Sequence, residues 1–246
     1  MKLFKLTVTA FFILLSGNQL FAQFFSPGFF PGGYYNRFGY NPNNRFWNNM
    51  PFVSYESAGN LFWDAEWNLG RAVLKNEQVI EGYPLRYDIG NNLLEVQVNN
   101  EIKMLPIKEI KYLEWIKDEG KEVSFFVNGF DYRLDGVGVV GLLKVLTTGE
   151  VQLLEKNDVD ISRSNYVSGF STARSVERAS VRQEFFLLEG KNLLPITKKE
   201  KDNLIQFGEL GNEIKKFAKE HKLKWKKAED LVKIVDEYNR LLAKKE

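Results

Sequence analysis

"NNLLEVQVNNEIKML", residues 91–105, decides the fold class. Leu94, Val96 and Val98 alternate with Glu95 and Gln97, a period of two that turns one face of a strand to a core and the other to water. Asn99-Asn100 follows, a good turn pair because Asn tolerates positive φ. Ile102 and Met104 then resume the alternation on a return strand. The same device recurs outward in both directions. "GRAVLKNEQVIEGYPLRYDI", 70–89, places two β runs around Asn76-Glu77. "EVSFFVNGFDYRL", 122–134, contains Asn128-Gly129, the strongest short hairpin signal. "VVGLLKVLTTGEVQLLEK", 139–156, places two runs around Thr148-Gly149-Glu150, and "RQEFFLLEGKNLLPI", 182–196, folds back at Glu189-Gly190-Lys191. Short runs joined by tight turns predict a mainly β domain over residues 54–195, built as an antiparallel meander, sandwich or open barrel.

Two segments depart from this pattern. "SRSNYVSGFSTARSVERAS", 162–180, is polar and Ser/Arg-rich and reads as a long loop, mobile or functional. After Pro195 the period becomes helical, so residues 196–246 form a C-terminal helical segment and the chain is α+β overall. Thr197 and Glu200 have capping-box spacing. Leu231, Ile234, Val235, Tyr238, Leu241 and Leu242 make one apolar stripe, expected to pack against the sheet or the preceding helix.

The first residues bear on the compartment. Lys2 and Lys5 precede the uncharged run "LTVTAFFILLSG", 6–17, and "NQLFAQ" follows with Ala22 ahead of Gln23. That order predicts a secretory signal peptide over 1–22. The apolar run falls short of the roughly 20 residues of a membrane span, and no later segment is apolar enough to cross. The chain has no cysteine, hence no lipid-attachment cysteine, disulfide framework or thiolate metal site. Export without disulfides points to the periplasm or outer-membrane periphery of a bacterium. Net charge is +2, without the concentrated basic face of a nucleic-acid binder.

Residues 23–53 form a Gly/Pro/Asn-rich low-complexity arm with no acidic residue and only Arg37 and Arg45 as charges. Phe24, Phe25, Phe29, Phe30, Tyr34, Tyr35, Phe38, Tyr40, Phe46 and Trp47 load it with apolar surface. A floppy linker is the plain reading of such a segment; the binding reading rests on these side chains, which a purely solvated linker does not need and which are favoured at interfaces. They are the candidate partner-binding residues, with a protein of the cell envelope as the partner.

"GVGVVG", 136–141, has the G-x-G-x-x-G spacing of a dinucleotide loop. The context fails: "LLKVLTTGEVQLL" follows, with no room for the helix whose N-terminus would hold the pyrophosphate. The glycines are read instead as a bulge, bend or close backbone approach, and no cofactor is expected. His221 is the only histidine, too few for zinc. "NDVDIS", 157–162, lacks the Gly and Glu of a calcium loop. No catalytic residue is assigned. Asp64, Glu66, Asp131 and Asp135 are the acids from which a glycosidase pair could be drawn. "NLFWDAEWNLG", 60–70, sets Trp63 and Trp67 beside Asp64 and Glu66, a weak candidate for a sugar platform and a better one for capping a small β core.

The succession "GRAVLKNEQVIEGYPLRYDIGNNLLEVQVNNEIKMLPIKEIKYLEW", "GLLKVLTTGEVQLLEK", "QEFFLLEGK" and the tail "KKAEDLVKIVDEYN" resembles an uncharacterised family of exported β-rich proteins of Bacteroidota-type bacteria, over roughly residues 60–242. The resemblance implies export to the periplasm or outer surface, carries no assigned activity and transfers no catalytic residue. The expected function is a non-enzymatic envelope protein docking on a partner. A lipid or acyl-chain carrier with an open β-barrel is one alternative, and a carbohydrate-binding protein or glycosidase is another.

Overall fold

The computed structural model describes residues 61–117, 122–164 and 176–245. Residues 1–60, with the expected signal peptide 1–22 and the aromatic arm 23–53, lie outside them.

Twelve strands form one sheet: β1 (Asn68–Leu74), β2 (Val79–Asp88), β3 (Leu93–Val98), β4 (Glu101–Pro106), β5 (Ile110–Lys117), β6 (Glu122–Asn128), β7 (Arg133–Leu134), β8 (Val137–Gly138), β9 (Leu142–Val145), β10 (Gln152–Ser164), β11 (Val176–Glu189) and β12 (Asn192–Ile196). Their order is β4-β3-β2-β1-β5-β6-β9-β10-β11-β12-β7-β8. Three helices follow: α1 (Glu200–Gln206), α2 (Gly211–Glu220) and α3 (Ala228–Leu242). The turns at Glu77, Asn99 and Asn100 lie in the left-handed region, as their residue types suggest.

Two 3₁₀ turns decide the shape. Ile107–Glu109 carries the chain from β4 to β5, which lie at opposite edges of the strip β4-β3-β2-β1-β5. Laid flat, that strip would separate its edges by about 19 Å, whereas the four Cα steps from Pro106 to Ile110 reach about 15 Å at most. The strip must roll. Gly129–Asp131 does the same from β6 to β7, the two edges of β6-β9-β10-β11-β12-β7. There about 24 Å of flat sheet faces a reach of about 19 Å. The sheet is therefore two rolled strips joined where β5 pairs with β6.

Each roll has its own core. Ile80, Leu94, Leu105, Leu113, Trp115 and Phe126 fill the first. Phe125, Val127, Leu143, Leu154, Phe186 and Leu193 fill the second. β6 and β9 serve both, with Phe126 and Leu142 turned to one core and Phe125, Val127 and Leu143 to the other. A third cluster joins Leu153, Phe185 and Leu187 of β10 and β11 to Phe207, Ile214, Trp225, Leu231, Ile234 and Val235. The helical stripe is thus a core contact, and β11 reads "FFLL" because both its faces are covered.

Four local expectations are corrected. Asn128-Gly129 is not a hairpin: it opens a 3₁₀ turn in which the Asn128 side chain accepts from Phe130 N. The two-residue turn is Asp135-Gly136, both at positive φ, between β7 and β8. Thr197 and Glu200 form no capping box, because α1 starts after Lys199 without a side-chain cap and Thr197 is held by Asn203. The stretch 162–180 is not all loop, since β10 and β11 stay in register to Ser164↔Val176; only 165–175 lies outside the described residues. Finally, the sheet is not wholly antiparallel: β12 pairs with β7 in parallel at Asn192↔Arg133.

Candidate functional site

The long strands β10 and β11 create the feature that stands out. β9 reaches β10 only at Leu154 and Glu155, and β12 covers β11 only from Phe185 to Glu189. From Lys156↔Glu184 to Ser164↔Val176, nine register pairs, the two strands pair only with each other among the described residues. At the usual rise this is a ribbon about 30 Å long. Its root is held: Val159 packs on the first core and the Lys156 side chain reaches Gly141. Charges lace the root, with Lys156 Nζ 2.8 Å from Asp158 Oδ2 and Arg182 3.1 Å from Glu184. Partial burial pushes the Asp158 carboxyl up, but the Lys156 hydrogen bond and charge, the Val159 N–H and Arg182 outweigh it and hold it below its ordinary value.

A groove of about 450 Å³ lies at this root, where β12 ends. Phe185, Ile196, Pro195 and Trp225 supply its apolar lining, and Arg182, Lys198 and Lys226 its cations. β12 ends there because Asn203, itself fully buried, clamps Thr197: Oδ1 accepts from Thr197 N and Nδ2 donates to Thr197 O, each at 2.8 Å. Asn239 uses the same device on α3, accepting from Val151 N at 2.9 Å and donating to Val151 O at 2.8 Å. Asn203 thus fixes the α1 start beside the end of β12, and Asn239 fixes the C-terminal part of α3 to the start of β10. Periodicity analysis passes over them, because a lone Asn in a helix carries no pattern.

The residues singled out from sequence are scattered. Trp63 stacks on Tyr87 and meets Phe126 edge-on, so it belongs to the first core. Trp67 and Phe62 take the Arg86 guanidinium between them, 4.4 and 3.7 Å from their ring centroids. Arg86 also donates twice to Glu95. This cover buries Glu95, so that side of β3 is not the wet face its alternation implies. Asp64 Oδ1 accepts from Glu66 N at the start of β1, whereas Asp131 pairs with Lys75 beyond its end. The strand between them spans about 20 Å, too far for Asp131 to work with either acid as a glycosidase pair. His221 is exposed beside Phe217. Among the described residues no three acidic or histidine side chains group as a metal cluster, and no helix is long and apolar enough to cross a membrane. The ten candidate partner-binding aromatics of the arm lie outside the described residues.

"GVGVVG" resolves into two jobs. Gly136 makes the β7–β8 turn, and Gly141, at φ +106°, lies where a Cβ would stand 3.0 Å from the Tyr87 hydroxyl. That hydroxyl donates to Asn92 Oδ1 and accepts from Leu142 N. Burial holds its pKa far above the ordinary tyrosine value, so it remains a donor. A strand, β9, follows Gly141.

Comparison of the chain with protein-family models, with curated proteins and with solved structures finds no match.

Proposed function

We propose that the chain is an exported, non-enzymatic protein of the bacterial envelope that docks on a protein partner, with the aromatic arm 23–53 as one contact. The observation that carries this reading is the β10–β11 ribbon. A two-stranded ribbon is marginal alone in water, and its unpaired edges are templates for another chain. Nine such pairs beyond the last supporting strands are costly unless something binds them. The signal-like start, the absence of cysteine and an arm rich in aromatics without acids agree with an envelope setting.

The carrier alternative draws no support here, because Trp115, Phe126 and Tyr87 fill one roll and Phe125, Phe186 and Tyr132 the other. The sugar-platform alternative is weakened in the same way: the observed contacts of Trp63 and Trp67 are with the protein's own side chains.

Photocrosslinking in cells tests the proposal, with the reactive group placed at Val181 on the ribbon, an exposed residue, and at Phe46 in the arm. Discrete partner adducts in the envelope fraction are expected from both positions, and the Val181 adduct should weaken when residues 23–53 are deleted. Undiminished adducts without the arm, or a chain confined to the cytoplasm, would overturn it.

A further inference from the structure

We infer that the groove at the root of the ribbon is a strand-addition site for an extended acidic peptide segment, which pairs with the free edge of β11 and sets its carboxylates on Lys198 and Lys226. The inference rests on the docking reading above and names the chemistry of one partner segment.

Three observations meet at this place. The first is backbone. β12 stops opposite Phe185 while β11 continues to Val176, so from Glu184 outward the β12 side of β11 has no partner among the described residues. Alternate residues of a strand direct their N–H and C=O to one side, and a chain continuing the line of β12 would satisfy them. This is how peptides add to sheet edges.

The second is shape. Phe185 and Trp225 are buried and belong to the cluster beneath the helices, and Ile196 and Pro195 complete an apolar wall. The groove volume, about 450 Å³, is in the range that holds a few side chains. Every second side chain of an added strand would face this wall, so the segment reads apolar–acidic in alternation.

The third is charge. "KKEK", 198–201, and "KLKWKK", 222–227, hold seven lysines and one glutamate. They are far apart in sequence, yet Lys198 and Lys226 line one groove. Arg182 is already engaged by Glu184 and Asp158, whereas neither Lys198 nor Lys226 has a carboxylate partner among the described residues. An acidic occupant complements this excess. The chain's own arm does not, because its only charges are arginines.

The test uses the purified full chain and a fluorescently labelled, end-capped octapeptide of alternating Val and Glu, read by polarisation. Three further probes run beside it: the Val/Lys counterpart, the Val/Glu peptide with alternate amides N-methylated, and a single-stranded thymidine decamer. Saturable binding of the Val/Glu peptide is expected. The double variant Lys198→Glu/Lys226→Glu, at exposed positions, should weaken it about tenfold, and N-methylation should abolish it. Failure of the Val/Glu peptide to bind, equal binding of the Val/Lys or N-methylated peptide, insensitivity to the double variant, or equal affinity for the decamer would overturn the inference. Because this test contains no envelope partner, its failure leaves the crosslinking result untouched.

Discussion

Asn128→Leu is expected to loosen the junction of the two rolls. Asn128 is fully buried at the end of β6. Its Nδ2 donates to Ile107 O at 3.0 Å and also to Ile110 O, the two ends of the first 3₁₀ turn. Its Oδ1 accepts from Phe130 N at 3.0 Å and starts the second. One amide thus ties together the two turns that roll the two strips. Leu has a similar volume, so the substitution removes three hydrogen bonds with little cavity. At about 1 kcal/mol net per bond the loss is about 3 kcal/mol, which for a domain of this size lowers Tm by about 6 to 12 °C. Urea unfolding followed by tryptophan fluorescence measures it, with Trp115 packed on the neighbouring Phe126 as reporter. The midpoint should fall with m unchanged. A loss below about 0.5 kcal/mol, the range of ordinary surface substitutions, would refute the argument that this amide holds the junction. Asn128→Asp should be worse than Leu at neutral pH, because a buried carboxylate would face two carbonyl oxygens. Its folded pKa would be raised above the unfolded value, so the deficit should shrink as pH falls through that folded pKa.

Three further outcomes are expected. Tyr87→Phe strips Leu142 N of its acceptor and should cost about 1 to 2 kcal/mol; Gly141→Ala, strained at φ +106° and crowding the same hydroxyl, should cost about 1 to 3 kcal/mol. Their double variant should cost less than the sum, and strict additivity in urea melts would refute the close approach. Asn239→Leu removes both bonds to Val151 and should cost about 2 kcal/mol, with faster amide exchange in α3; unchanged exchange there would count against the clamp. Burial raises the Glu114 carboxyl, with Arg71 lowering and Glu81 raising it in turn. A proton held more tightly folded than unfolded favours folding at low pH, and that contribution is lost as pH rises from the ordinary glutamate range through the folded pKa. Glu114→Gln should flatten that part of the stability profile, and an identical slope in the variant would refute the assignment.

Much of the local structure is legible in residue types. The alternation in 91–105 marks β3 and β4, the Asn pair marks their turn, and the α3 stripe marks the face it buries, because each depends on neighbours within a few positions. The failures have physical causes too. Asn128-Gly129 carries a hairpin signal, but the long-range hydrogen bonds from Asn128 to two carbonyls at the first 3₁₀ turn override it. Residues 162–164 and 176–180 carry no alternating pattern, so the strand ends they form give no periodic signal. Glu95 looks solvated until Arg86, Phe62 and Trp67 close over it. The groove was invisible for a simpler reason: its lysines come from segments more than twenty residues apart.

Short-range periodicity and backbone stereochemistry mark most of the strands, many of their turns and the helical end, and leave no room for a helix after "GVGVVG"; they miss β7, β8 and the outer parts of β10 and β11. Only the tertiary structure decided that two three-residue turns roll one sheet twice, that single asparagines join the pieces, and that β11 outruns its neighbour to leave an edge beside a cluster of lysines. Those features depend on which distant segments meet, and no local pattern encodes that distance.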